Sequence, residues 1–206
     1  MTVRRSLAMV ALSALVAAGC HSADAPSVSA PGRFTRADVA AIVLQPSDAP
    51  KGTVYVNGAS GFQELTAFAR DEVELGHLRD DGFQVGHLSL FLPASHTNGG
   101  APKPLTNLSV IVQGIAGLFH DANGAERSLE RYVGDLRSRQ LPGASDLPSA
   151  GLGDRAFGLQ GTTPDGSRVL MYVWRVDNLV LAVSGSGPLR STDVRALADL
   201  VNGRAG

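Results

Sequence analysis

The chain has 206 residues, of which 18 are basic and 19 are acidic, and 44% are hydrophobic. A net charge of −1 excludes a polycation that binds nucleic acid through the phosphate backbone. A domain of this size buries about 70% of its unfolded surface, so we expect one globular domain with its own hydrophobic core.

The first 19 residues have the pattern of a signal peptide. Arg4 and Arg5 form a basic start, and residues 7–18 are uncharged and almost entirely apolar. Twelve helical residues span roughly 18 Å, well short of the roughly 30 Å hydrocarbon core of a bilayer. Residues 1–19 are therefore predicted to be a cleavable signal peptide and not a transmembrane helix.

Cys20 is the only cysteine, and it follows Ala17-Ala18-Gly19. This ending resembles the lipobox of bacterial lipoproteins, although Ala17 stands where that family prefers leucine. The resemblance implies cleavage before Cys20, a diacylglyceryl group on its sulfur and acylation of the new amino terminus, for example with palmitate. Two acyl chains are enough for stable anchoring. We therefore expect a protein held at the cell membrane by a lipid anchor, on the extracytoplasmic face, or at an outer membrane if the envelope has one.

The alternative is that Cys20 is an incidental small apolar residue. If it is lipidated instead, the domain has no thiol left for a disulfide, a thiolate nucleophile or a cysteine metal site.

Residues 20–34 are rich in serine, alanine and proline, which predicts a lipidated N-terminus and a flexible tether. The globular domain is predicted to span residues 35–206. Its first helix begins after Thr35, with Asp38 completing a capping box, and ends before Pro46. A short strand is predicted at 53–56.

The middle of the chain is predicted to alternate helices and strands. One helix should span 63–80 and stop at Gly82. A strand follows at 83–92, whose three alternate leucines are predicted to face the core. Residues 107–119 are apolar on both faces, as in a central strand, and a helix begins near Asp121 or Asn123. The segments 93–104 and 141–150 are predicted loops.

The last third contains the clearest local pattern, a hairpin of 167–176 and 179–186 joined by Asp177-Asn178. A two-residue turn places Trp174 opposite Leu181 and Tyr172 opposite Val183, on the core face. A strand should begin at Arg155 before this hairpin. A final helix is predicted at 191–201 and should end at Gly203.

These elements predict an α+β fold, with a curved, mainly antiparallel sheet of about five or six strands and helices packed on it. Three segments also resemble exported domains of bacterial lipoproteins, over much of residues 44–201. They are Leu44-Gln45-Pro46-Ser47-Asp48-Ala49-Pro50, Leu152-Gly153-Asp154 and Arg175-Val176-Asp177-Asn178-Leu179-Val180. Because these are turn and core residues, the resemblance implies a fold and no activity.

The sequence contains none of the common catalytic or nucleotide-binding motifs. Gly151-Leu152-Gly153-Asp154 is predicted to be a turn, because a strand and not a helix follows it. The histidines lack the spacing of a metal pair. We therefore predict no catalytic residue, no metal site and no cofactor, and a protein that is not an enzyme.

One face of the sheet is a candidate ligand site. His87 and Ser89 alternate with the leucines of their strand, so they are predicted on the face away from the main core. Arg175 takes the same position in the hairpin, and Gln113 joins them from the central strand. These four residues would line a concavity of mixed polarity if their strands are neighbours. Alternatively, a helix or the Pro/Gly loop covers this face.

Three functions remain open. The first is a non-enzymatic module that binds a small ligand or an envelope protein. The second is a carrier for an apolar or amphipathic envelope molecule, which requires a cavity between sheet and helices. The third is a hydrolase whose site forms only in three dimensions, which requires a cleft uniting His87 with a carboxylate.

Overall fold

A computed structural model describes residues 30–97, 104–106 and 108–206. The predicted signal peptide, Cys20 and most of the predicted tether lie outside the described residues. In the described part of the chain, no helix combines the length and apolar character needed to cross a bilayer.

Eight strands form a single antiparallel sheet. Their order across the sheet is β1-β3-β4-β8-β7-β6-β5, and β2 also pairs with β3. The strands are β1 Thr53–Tyr55, β2 Gly61–Gln63, β3 Phe83–Pro93, β4 Ile111–Phe119, β5 Ser145–Leu147, β6 Arg155–Thr162, β7 Arg168–Val176 and β8 Leu179–Ser186. The predicted α+β fold is confirmed. The sheet is larger than predicted because β2 and β5 are too short to show an alternating pattern.

Helices cover both faces of the sheet. They are α1 Arg36–Ile42, α2 Leu65–Phe68, α3 Glu72–Asp80, α4 Ala94–Thr97, α5 Ala122–Asp135 and α6 Ser191–Ala205. One π-helical turn, Leu136–Gln140, continues α5. Helices α1 and α6 pack on one face, which contains the largest hydrophobic cluster. Helix α5 and the α2–α3 segment pack on the other face, which we call the α5 face.

The predicted continuous helix at 63–80 is wrong. Ala69 has an extended backbone, with φ −69° and ψ 136°, and separates α2 from α3. The carboxylate of Asp71 then accepts a hydrogen bond from the Glu74 N–H at 2.8 Å and caps α3. The break follows from this cap, because an aspartate at this position satisfies a free N–H of a new helix.

The predicted hairpin is confirmed with its register. Val176 pairs with Leu179, Trp174 with Leu181 and Tyr172 with Val183. The first turn residue, Asp177, has a φ of 51°, in the left-handed region that aspartate tolerates. The predicted end of the last helix at Gly203 is wrong, because α6 continues to Ala205.

Strand β3 presents the opposite face to the main core from the one predicted. Val85 and Phe91 are buried in the cluster under α1 and α6, whereas the three leucines of β3 are only partly buried. Leu88 and Leu90, paired with Ile115 and Gln113, lie on the α5 face, and Leu92 follows by alternation. Because β3 is apolar on both faces, alternation alone does not identify its more deeply buried side.

The chain contacts the domain three residues before the predicted start at Thr35. The Gly32 N–H donates to the His120 carbonyl at 2.9 Å. The Asn178 side chain accepts from the Phe34 N–H at 2.9 Å and donates to its carbonyl at 3.1 Å. The described residues of the three hydrophobic clusters lie between Phe34 and Ala205.

Candidate functional site: a cleft beside helix α5

A cavity of about 300 Å³ lies between the α5 face of the sheet and the α2–α3 segment. Strands β3, β4 and β8 form its floor, and α5 forms one wall. Its main apolar lining residues are Phe68, Leu78, Leu88, Ile115, Phe119 and Val180. A cavity of this size and apolar character is typical of a site for a small molecule.

Two glycines shape the apolar end of the cleft. Gly86 of β3 and Gly117 of β4 are paired across the sheet. A Cβ atom at Gly86 would lie 2.1 Å from the Phe68 ring, so any larger residue would push this ring away. Phe68 in turn lies 4.8 Å from Phe83, between ring centroids. The glycine pair therefore lets an aromatic wall lie directly against the sheet.

An ion-pair network links α3 to α5 across the mouth of the cleft. Arg70 donates to both carboxylate oxygens of Glu74, at 2.8 and 2.7 Å, and to Asp135 at 2.6 Å. Its guanidinium lies 5.5 Å from the centroid of the Tyr132 ring. The Glu74 hydrogen bonds and the carboxylate charges raise the pKa of Arg70. Because two carboxylates already neutralise Arg70, it is not a free anion-binding group.

Two neutral polar side chains line the cleft. Burial raises the pKa of the Tyr132 hydroxyl to about 12, so it stays protonated at neutral pH. Among the described residues, no hydrogen bond uses this hydroxyl or the side-chain amide of Gln113. Both groups can therefore bond to a ligand in the cavity.

A second cavity of about 300 Å³ lies on the same face, at the C-terminal end of α5. Gln113 lines both cavities, so they adjoin at this residue. The polar lining residues of the second cavity are Gln113, Gln140, Thr163, Asp165, Ser167, Ser184 and Ser186.

The four predicted site residues do not come together. Strand register places His87 and Ser89 beside Ala116 and Gly114, on the face of the main core. The Ser89 hydroxyl is fully buried and donates to the Leu44 carbonyl at 2.8 Å. The predicted grouping is wrong, because it assumed that the leucines of β3 face the main core.

His87 is buried on the main core face, where it is paired with Phe62 of β2 across the sheet. Its ring packs edge-on against Phe62, with 5.2 Å between centroids, and burial lowers its pKa. Its Nδ1 atom has no hydrogen-bond partner, and within the described ranges no ion pair or hydrogen bond joins it to a carboxylate. The cleft that the hydrolase alternative requires is therefore not formed around His87 in the described part of the chain.

Gln113 and Arg175 do share the α5 face, but they lie apart. Arg175 pairs with Val180, whereas Gln113 pairs with Ser184, four residues further along β8. Arg175 bonds to Glu126 at 2.8 Å and to Asp154 at 3.0 Å, which ties α5 to the turn before β6. Of the four predicted residues, only Gln113 lines the cavities.

Sequence reasoning missed most of the cleft. Phe68 of α2, Arg70 of the turn before α3 and Tyr132 of α5 line it, and no local pattern reveals where these segments lie on the sheet. One signal was present in β8, whose alternate residues Ala182 and Ser184 are small. Small side chains on one face of a central strand leave space beneath the covering helix.

Comparisons with known proteins bear on the fold. No protein-family model matches the chain, and no curated protein sequence matches it significantly. Among solved structures, it is similar to the extracellular domain of PknH from Mycobacterium tuberculosis, with a TM-score of 0.52 and 9% sequence identity. The match covers 85% of this chain and 97% of that domain. At this identity the similarity shows the fold alone, and the fold is one that an extracellular domain uses.

Proposed function

We propose that this protein is a lipid-anchored, extracytoplasmic, non-enzymatic binding module that takes an apolar or amphipathic small molecule in the cleft beside α5. The observation that carries the proposal is the cavity of about 300 Å³, apolar in its floor and lined by Gln113 and Tyr132, whose polar side-chain groups form no hydrogen bond among the described residues. Such a combination binds a ligand by burial of apolar surface and orients it through a few polar contacts.

The proposed lipid anchor at Cys20 supports this function because it lies close to the domain along the chain. Twelve residue steps separate Cys20 from Gly32, the first described residue with a hydrogen bond to the domain. Such a segment reaches at most about 40 Å when fully extended. An anchor at Cys20 would therefore keep the cleft close to the bilayer, where apolar and amphipathic molecules concentrate. This proximity also supports the carrier function as a variant of the same proposal.

Binding of N-phenyl-1-naphthylamine, an uncharged apolar fluorophore, tests the cleft. The probe can be titrated into the non-lipidated chain from residue 21 onward, since the described core lies after residue 30. Leu88 of β3 is partly buried and lines the cavity. Leu88→Trp should fill the cleft and weaken probe binding by about tenfold. This is the change in Kd expected when apolar contacts of about 1.4 kcal/mol are lost.

Leu92→Trp is the matched control, because Leu92 lies on the same face of β3 but not in the cavity lining. It should leave probe affinity unchanged. The proposal is wrong if the wild-type chain does not bind the probe, or if the two tryptophan variants weaken binding equally.

A further inference from the structure

The two cavities that lie over β4 and β8 adjoin at Gln113, and we call them together the trough. Strand β4 runs beneath both, from Phe119 to Ile111. Its eight residue steps of about 3.4 Å span about 27 Å. A trough of this shape fits an elongated molecule better than a compact one.

The polarity of the trough changes along β8. The side chains that β8 directs to the α5 face are, in order, Val180, Ala182, Ser184 and Ser186. The first two lie in the apolar cavity and the last two in the second cavity. The trough is therefore amphipathic along its length.

The polar end contains no countercharge for an anionic group. Among the described residues, its lining includes no arginine, lysine or histidine. Its one carboxylate, Asp165, accepts from the Thr163 hydroxyl and from the Ser167 N–H, and its charge would repel an anion. A phosphate group would lose its hydration here without gaining an ion pair.

The remaining polar groups at this end are amides and hydroxyls, which both donate and accept hydrogen bonds. Two apolar side chains, Met171 and Val169, lie among them. This mixture matches a sugar or polyol, whose hydroxyl groups bond at the ring edge while its C–H groups form an apolar surface.

Building on the proposed function, we propose that the trough binds an elongated amphiphile with an uncharged, hydroxyl-rich head. The apolar chain lies in the cavity under Phe68, and the head lies in the cavity beside Ser184. Gln113, at the junction, bonds to the part of the ligand where chain and head meet.

Three probes with the same dodecyl chain test this assignment by calorimetry, below their micelle concentrations. They are dodecyl maltoside, with a neutral sugar head, dodecyl phosphate, with an anionic head, and dodecanol, which has almost no head. The wild-type chain from residue 21 onward should bind the maltoside about tenfold more tightly than the phosphate, as expected for two additional hydrogen bonds.

The double variant Gln113→Leu/Ser184→Ala removes two polar groups at the head without adding bulk. It should weaken maltoside binding by about tenfold and leave dodecanol binding unchanged. Gln113→Leu alone gives a second readout if the double variant does not fold, which circular dichroism will show.

The outcomes separate this inference from the proposed function. If the variants bind maltoside and dodecanol as the wild type does, the head assignment is wrong while the binding function stands. Equal affinity of the wild type for phosphate and maltoside also overturns the head assignment. If none of the three probes binds the wild type, both proposals fail.

Discussion

At the residue scale, His87 is a buried polar side chain of the main core face. It is 8% exposed and packs against Phe62, and among the described residues its Nδ1 atom, like Nε1 of Trp174, has no hydrogen-bond partner. A buried polar group without a partner costs about 1–3 kcal/mol of stability. A histidine at this position therefore makes the fold sensitive to pH.

The sign of this sensitivity follows from the direction of the pKa shift. Burial lowers the pKa of His87 from its ordinary value of 6.5. Below pH 6.5 the unfolded chain therefore binds more protons than the folded one, and stability falls as the pH drops. The stability that depends on an uncharged His87 is fully present above about pH 6.5. It is lost as the pH falls from 6.5 to the lower pKa of the folded state.

We predict that His87→Leu raises the free energy of unfolding by about 1 kcal/mol at pH 7.5, because it removes the unpaired nitrogen. The gain should be larger at pH 5.5. Urea unfolding at both pH values, followed by fluorescence of the buried Trp174, measures this difference. His77→Gln, on the exposed surface of α3, is the control, and a His87→Leu variant with the same pH dependence as wild type would contradict the prediction.

At the element scale, the junction of α3 and α5 depends on a buried carboxylate. Asp81, at the end of α3, is 3% exposed. It accepts from Nε of Arg127 at 2.8 Å and forms an ion pair with Arg131, both in α5. Close packing at this point requires Gly124, because a Cβ there would lie 2.0 Å from the Asp81 carbonyl oxygen.

This junction should respond asymmetrically to substitution. Arg127→Gln/Arg131→Gln leaves a buried carboxylate without a countercharge, which costs about 3–5 kcal/mol. Asp81→Asn should cost less, about 1 kcal/mol, because the freed guanidinium groups are partly exposed and can reach water. Urea unfolding of the three chains measures both values.

The exposed pair Arg36–Glu64 provides the control, since Arg36→Gln should change stability by less than about 1 kcal/mol. The structural interpretation fails if Asp81→Asn destabilises the protein as much as the double arginine variant does.

At the scale of the whole molecule, the proposed lipid anchor at Cys20 would hold the proposed binding cleft near a membrane. We predict that Cys20→Ala abolishes incorporation of labelled palmitate and leaves an uncleaved or soluble protein. The physical reason is that two acyl chains bury enough CH₂ groups for stable anchoring, whereas the polar tether buries none. Metabolic labelling followed by detergent partitioning measures both effects.

Ser22→Ala, in the same segment, should leave labelling and partitioning unchanged. A Cys20→Ala protein that is cleaved and still partitions into detergent like the wild type would refute the lipoprotein assignment.

Local sequence signals were enough to predict the elements that depend on neighbouring residues along the chain. The hairpin register follows from the two turn residues at Asp177 and Asn178 and from alternation in the flanking strands. The start of α5 follows from Asp121, whose carboxylate accepts from the Gly124 N–H at 2.8 Å. Together with the spacing of strands and helices, such signals were enough to predict the α+β class.

Only the tertiary structure decided where the cleft lies. It depends on contacts between distant residues, such as Gly86 with Gly117 and Arg70 with Asp135, 65 residues away along the chain. It also decided which face of β3 is more deeply buried and hence why His87 is not in the cleft. Local sequence patterns indicate the spacing of apolar residues along one element. The space between a helix and a sheet is set by side chains that meet only after folding.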